Sequence, residues 1–503
     1  MKSQGDEKVE HKFIISIDQS TQGTKALLFD GCGKMLARED LPHRQLVNAQ
    51  GWVSHDLQEI ADNTIRAAGL LLKKNAILPS QVAAVGISNQ RETTAMWDRR
   101  SGKPLDSAVV WQCGRAGNIA RDIAKQGFAG IIKEKTGIPL SAYFPAAKMA
   151  WLLKQEEGLI GRAQRGEICL GTIDSWLIWQ LTQEHAFKTD YSNASRTQLM
   201  NLETLAWDEE LAGIFGIPME CLAQICDSDA VYGHTAMGGL FETPVPVCGV
   251  LGDSHAALFG QGCLQPGMSK ATYGTGSSLM MNIGSRPIAS RHGVVTSLAW
   301  KRKGRVDYVL EGNLNYTGAV ITWLKENVGL IGSAGETEAL AEAANPADVT
   351  YLVPAFTGLG APYWDESAAA CLSGMTRVTG KAEIVRAALD CIAYQITDLI
   401  QAMEQDTGIP MKELRVDGGP TRNRYLMQFQ SDISDKILKI PQAEELSGIG
   451  AAYMAGISAG LYREEDLFSL WEGSIFTPSM DEAVRRQKRD GWKKAVAGVL
   501  NHK

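Results

Sequence analysis

The sequence predicts an α/β protein made of two related halves, and three observations predict it. Short apolar runs that end in polar residues alternate with helix-period stretches along most of the chain. A strand–turn–strand pattern with a turn rich in Gly, Ser and Thr occurs at 13–30, FIISIDQSTQGTKALLFD, and returns roughly 250 residues later at 268–283, MSKATYGTGSSLMMNI. At 503 residues the chain has room for two large domains or about three of average size. Two such hairpins suggest two halves facing one nucleotide.

Composition narrows the class. Apolar residues make up 45% and charged residues 21% of the chain, which excludes disordered and fibrous proteins. A net charge of −7 and a pI near 5.7 argue against nucleic acid as a partner. The nine cysteines are scattered without a CxxC spacing and lie apart from any histidine cluster, which predicts a reducing compartment and no zinc site. The start, MKSQGDEKVEHK, is charged and lacks the apolar core of a signal peptide, and no run reaches the length of a membrane span. These features predict a cytoplasmic protein without a membrane partner and with a frayed tail at 1–12.

The first hairpin has an unusually polar turn. Its backbone N–H groups, the Thr21 and Thr24 hydroxyls and the Lys25 ammonium could face one anion, and Asp18 could hold a cation, which together describe a site for a metal-bound polyphosphate. A solvated hairpin with an Asx turn at Asp18 is the alternative. GWVSHD at 51–56 then leads into a helix over 57–74 with Asp56 as N-cap. The apolar run at 82–88 reads as a buried strand ending in Asn89-Gln90-Arg91-Glu92. Groups at strand ends in open α/β sheets often serve a site, and Arg91 with Glu92 can donate to and accept from a polyol, although a surface ion pair fits the same residues. A strand at 108–111 brings Trp111, either a flat wall for sugar-like C–H faces or a core residue. Residues 143–155 enter a helix with a buried stripe of Met149, Leu152 and Leu153, leaving Tyr143 on the loop before it. A strand and helix follow at 169–181, with Thr172 or Asp174 as cap, and 190–196, DYSNASR, reads as a polar, turn-rich loop.

In the second half, the strand at 244–251 stops at Gly252-Asp253-Ser254-His255, where a helix begins. A carboxylate at such a strand mouth can take the proton of a hydroxyl attacking a phosphoryl group, and Asp253 is equally well placed as an N-cap. His255 reads as packing or surface. Residues 311–325 read as a loop running into an amphipathic helix, 353–365 as a functional loop, and 381–404 as the longest helix, with one apolar face. At 414–433 a strand feeds Asp417-Gly418-Gly419 just before a helix, so the chain could approach a phosphate or nucleoside there. The small-residue helix at 447–460 is expected to pack closely on its neighbour. Arg485 and Arg486 read as a solvated helix face.

These motifs in order, IDQST…K, GWVSHD, SNQRETT, VVWQC, YFPAAKMAWLL, DYSNASRTQL, GDSHAALFGQ, TYGTG, VPAFTGLGAPYWD and RVDGG…LMQFQSDI, resemble the FGGY carbohydrate kinases, and within them the glycerol kinase branch. The resemblance runs from about residue 13 to about 462. It implies two domains of the actin and hexokinase type (ribonuclease H-like), 13–251 on the substrate side and 252–503 on the nucleotide side, closing over ATP and Mg²⁺. It makes Asp253 the general base and places Asp18 near the metal. Thr21 and Lys25 match positions facing the transferred phosphate. Thr275, Gly318, Thr322, Gly419 and Asn423 match nucleotide contacts, while Arg91, Glu92, Trp111, Tyr143, Ser254 and Ser278 match the polyol site. Members of the family form dimers or tetramers, so a homo-oligomer is expected.

The chain also departs from the branch. Ser254 replaces a usual Gln, Ser278 an aromatic residue, Ser20 a Gly in the first loop, and Lys25 an Arg. The two pocket changes remove side-chain volume, from which a longer polyol or a ketose is an expected alternative to glycerol. From a different class, an actin-like or chaperone-type ATPase shares the fold, and a weakly catalytic sugar sensor is a further alternative. Neither a polymerising nor a peptide-binding domain is visible.

Overall fold

A computed structural model describes residues 12–469 and 472–500. The tail expected over 1–12 lies outside them except for Lys12, whose N–H donates to the Gln81 carbonyl at 2.9 Å. The chain divides into two units, the first holding residues 12–262, 297–308 and 445–469, the second 263–296, 309–444 and 472–500.

The first unit is built on a six-stranded sheet in the order Val231–Thr235, Val245–Gly252, Val82–Asn89, Phe13–Gln19, Gly23–Phe29, Met35–Pro42. The middle three strands are parallel and the flanking pairs antiparallel. Their registers bring three carboxyl ends level, with Asp18 opposite Ser88, Gln19 opposite Asn89 and Gly252 also opposite Asn89. Helix Leu57–Lys74 starts where expected because the Asp56 carboxylate accepts from the Gln58 and Glu59 N–H groups. Its Leu57, Ile60, Ala61, Ala67, Ala68, Leu71 and Leu72 join a core with Ile15, Ile17, Val85 and Ile87 of the sheet. Helix Leu446–Ser458 comes in as near as its glycines and alanines allow. A Cβ on Gly450 would stand 1.8 Å from the Ala256 carbonyl oxygen, and one on Gly86 would stand 2.5 Å from that of Ala451.

The second unit repeats the opening of the first. Ser269–Tyr273 pairs antiparallel with Ser277–Gly284 and parallel with Glu413–Asp417, as Phe13–Gln19 does with Gly23–Phe29 and Val82–Asn89. Ile437–Pro441 and Gly473–Phe476 extend the sheet beyond Glu413–Asp417.

Several local expectations are corrected. Helix Lys381–Thr407 is buried on nearly every side and not along one apolar face alone, since Val385, Leu389 and Tyr394 are buried together with the charged Arg386, Asp390 and Asp398, while Ile384 of the expected face is only half-buried. Glu311 lies inside strand Arg305–Leu314 and not in a loop, and the strand expected over 108–111 is only Ala108–Val109. No side chain caps helix Ile173–Leu181, because the Thr172 hydroxyl donates to the Asp174 carboxylate instead. Arg485 is not solvated. Its guanidinium donates to the Asp432 carbonyl at 2.8 Å and pairs with Asp435 at 2.9 Å, whereas Arg486 is exposed. The largest correction falls on 190–196. Asp190 caps a short helix, Tyr191–Ala194, and the whole segment is buried. The Asp190 carboxylate accepts from the Ser192 and Asn193 N–H groups and from the Ser192 and Ser228 hydroxyls, each at 2.9 Å. A polar segment whose groups satisfy one another can sit in a core, and hydrophobic periodicity cannot see it.

Candidate active site

In the first unit the aligned strand ends collect the expected residues. Asp18 is buried and accepts from the Ser88 hydroxyl at 3.0 Å. Burial pushes its carboxyl up to about 6, against the opposing pull of Lys25 and Ser88, with Asp253 and Glu445 adding to the rise. Lys25 faces it across the hairpin, with Nζ 3.9 Å from the Asp18 carboxylate and 2.5 Å from Glu445. Burial works against the Lys25 charge, but Asp18 and Glu445 outweigh it and raise its pKa. Arg38 shares Glu445, so this carboxylate carries two cations. In this structure the Lys25 ammonium is therefore tethered to Glu445.

The Thr21 hydroxyl accepts from the Trp111 indole N–H at 2.9 Å, and the Trp111 ring meets Tyr143 edge-on at 5.7 Å. Arg91 reaches two residues of the third strand end. Its Nε donates to Asp253 Oδ1 at 3.1 Å and its Nη2 to Ser254 Oγ at 3.2 Å. Asp253 is the first residue of helix Asp253–Gly260 and Gly252 holds the N-cap position, so the ordinary N-cap reading does not apply. The Gly252 N–H donates to Ser192 Oγ at 2.9 Å, which ties this corner to the buried 190–196 segment. The Asp253 side chain keeps 37% of its surface exposed and so is reachable. Glu92 is 2% exposed and its carboxylate accepts from the Nε of Arg196, 1% exposed, at 2.7 Å. His255 is fully buried, with an imidazole–hydroxyl contact to Ser297 of 3.4 Å.

In the second unit Gly318, Thr322, Gly419 and Asn423 line one cavity of about 570 Å³. That is a volume typical of small-molecule sites. Gly418, with φ of +101°, brings the chain against the first hairpin strand of this unit, where a Cβ would stand 1.9 Å from the Tyr273 carbonyl oxygen. Asn423 caps helix Arg424–Ser434 through the Leu426 N–H at 2.9 Å and donates to the Thr337 hydroxyl at 3.0 Å. Thr275 is not part of that lining. Its carbonyl accepts from the Thr317 and Ala319 N–H groups at 2.9 and 3.0 Å, just where helix Gly318–Trp323 begins. The Ser278 hydroxyl donates to the buried Glu311 at 3.2 Å.

Sequence reasoning missed Glu445, Lys148 and Arg196 in the first unit and the Thr337 wall in the second. A signal existed for Thr337. Ser333-Ala-Gly-Glu336 has the S-x-x-E spacing of a helix start, and the Glu336 carboxylate accepts from the Gly332 and Ser333 N–H groups.

Models of the FGGY family of carbohydrate kinases match the chain twice, the N-terminal domain over residues 13–260 and the C-terminal domain over 269–459. The chain belongs to the FGGY family of carbohydrate kinases. It is 45% identical over 490 residues to glycerol kinase 1 of Thermotoga maritima, covering 97% of this chain and 99% of that one. To the glycerol kinase of Alkaliphilus oremlandii it is 43% identical over 491 residues, 97% of each chain. The crystal structure of Plasmodium falciparum glycerol kinase with ADP superposes with a TM-score of 0.92 at 33% identity, covering 98% and 99% of the two chains. A ligand-bound xylulose kinase from Lactobacillus acidophilus has a TM-score of 0.88 at 21% identity over 98% and 99%, a likeness of fold. The FGGY kinase is thus an ATP-dependent enzyme that phosphorylates a small sugar or polyol, with Mg²⁺ accompanying the nucleotide. None of the helices among the described residues is long and apolar enough to cross a membrane.

The residues present suit Mg²⁺. The buried Asp18 carboxylate, its pKa raised by burial and by Asp253, gains from a cation beside it.

Proposed function

We propose that this kinase transfers the terminal phosphoryl group of ATP to a hydroxyl of glycerol, with Asp253 as general base. The observation that carries the reading is the Arg91–Asp253 contact at the end of parallel strands, in a chain 43% identical to a glycerol kinase along 97% of both. Arg91 fixes the orientation of the Asp253 carboxylate and, with Glu92, holds the polyol hydroxyls. Trp111 and Tyr143 form its apolar wall. Asp253 accepts the hydroxyl proton as that oxygen attacks. Thr21 and Lys25 face the transferred group, with Lys25 leaving Glu445 to Arg38. Asp18 would hold Mg²⁺, which when bound neutralises charge on the phosphates. The adenosine end of ATP occupies the cavity lined by Gly318, Thr322, Gly419 and Asn423, and the Thr275 carbonyl holds the start of the helix that carries Gly318 and Thr322.

Identity of 43–45% to glycerol kinases over 97% of the chain favours glycerol over the larger substrates that Ser254 and Ser278 suggest. Both serine hydroxyls are already engaged, with Arg91 and with Glu311. The test is ADP formation from ATP and Mg²⁺ with glycerol, erythritol, ribitol, xylulose, ribulose and dihydroxyacetone. Highest kcat/KM for glycerol is expected, and a clear preference for a longer compound overturns the substrate assignment. We further propose a cytoplasmic enzyme that assembles as a homo-oligomer, to be checked by fractionation and by light scattering.

A further inference from the structure

The corner that carries Arg91 and Glu92 has a backbone conformation that needs outside support. Glu92 has φ of +60°, and the Thr93 N–H reaches back to the Arg91 carbonyl at 2.7 Å, so residues 91–93 make a γ-turn of the positive-φ hand. A residue with a Cβ is strained there and keeps the shape only where its surroundings enforce it. Two buried cations from elsewhere in the first unit grip the turn. Arg196 holds the Glu92 carboxylate. Lys148, on helix Pro145–Leu152, is 0% exposed and its ammonium donates to the Glu92 carbonyl at 3.1 Å and to the Tyr143 carbonyl.

Both acceptors of the Lys148 ammonium are main-chain carbonyls. A buried ammonium bonded to carbonyls is an expensive way to fill a core position, so its geometry calls for a purpose beyond packing. The two carbonyls belong to the residues on either side of the polyol-holding face, and among the described residues no backbone hydrogen bond links the turn at 91–93 to the loop at 143. One side chain spans them. We infer that Lys148 is a positioning residue that ties the Glu92 turn to the Tyr143 loop and so fixes the spacing between the polar and aromatic sides of the polyol site. Burial also brings the Lys148 pKa down to about 7, against the opposing pull of Glu92 and Cys113, which marks how far the ammonium has been taken from water.

The inference rests on reading Arg91, Glu92 and Tyr143 as polyol-holding groups, and its test keeps the two apart. Lys148→Met preserves length and volume but removes both bonds. With glycerol as probe, KM for glycerol is expected to rise about tenfold or more while KM for ATP stays within about twofold. Lys148→Gln, whose amide N–H groups can still reach a carbonyl, should recover part of the loss. A lysine that merely fills the core would lower the melting temperature and leave the glycerol KM of the folded enzyme within about twofold of wild type, and that result overturns the inference. If Lys148→Met does not accumulate as folded protein, the same KM criterion is applied to Lys148→Leu, which also removes both bonds. Absence of glycerol-dependent ADP formation in the unsubstituted enzyme would overturn the reading of the site, and this inference with it.

Discussion

The two hairpins share a backbone plan and carry different chemistry. In the first, the second pair from the turn is Asp18 opposite Lys25, with Ser88 alongside on the parallel strand. In the second, the matching pair is Thr272 opposite Ser278, with Asp417 alongside. The first turn is a set of polar side chains backed by the Glu445–Arg38 pair. The second is close-packed backbone, where a Cβ on Gly276 would stand 2.2 Å from the Leu314 carbonyl oxygen and one on Gly318 would stand 2.7 Å from that of Gly274. One scaffold thus serves two needs. Around the first turn the facing side chains are ionic, and around the second the glycines let main chain pack against main chain.

That contrast is sharpened by substitution. The largest effect is expected at the charged end. Asp253→Asn should lower kcat by about 10³-fold with little change in ATP binding, measured by steady-state ADP formation and by calorimetry with a non-hydrolysable ATP analogue. In the second unit Gly418→Ala should act through shape, because its φ of +101° and the Tyr273 oxygen leave no room for a Cβ. A loss of ~3 kcal/mol of stability and weaker nucleotide binding are expected, read by denaturant titration and by the same calorimetry.

Asp18→Asn separates stability from function. The Asp18 carboxyl titrates near 6 in the fold against 3.8 for an unperturbed Asp, so the folded state binds the proton more tightly. Its contribution is fully present below pH 3.8 and is lost as pH rises through about 6. The ligand-free Asn variant should therefore match wild type near pH 4 and exceed it by on the order of 2 kcal/mol at pH 7, while losing most activity. Equal pH dependence of melting in the two proteins would remove the strained carboxylate from the account. The smallest effect is expected for Trp111→Phe, which keeps the ring and loses the bond to Thr21. A rise of about fivefold or less in glycerol KM is expected from steady-state kinetics.

How much of this was legible in the sequence depended on range. The hairpins, the Asp56 cap, the strand ends at Asn89 and Gly252 and the glycine turn at 418 are written in neighbouring residues, and they placed Asp18, Arg91, Asp253 and Gly419 where the structure has them. Glu445 lies 420 residues beyond Lys25, and nothing local announces that a carboxylate will meet that ammonium. Arg196 and Lys148 were hidden for another reason. Charged and polar residues read as surface until their partners are known, and theirs come from two other segments of the first unit, the turn at Glu92 and the loop at Tyr143. The Thr337 wall of the cavity in the second unit comes from helix Glu336–Ala343, and nothing in that stretch says what it faces.

The most direct measurement of the central claim is the rate of ADP formation from ATP and Mg²⁺ by the wild-type enzyme as glycerol is titrated from zero. The account predicts a rate near zero without glycerol, saturation as glycerol is added, and glycerol phosphate formed in step with ADP. An ADP rate that is substantial without glycerol and indifferent to its addition would contradict it.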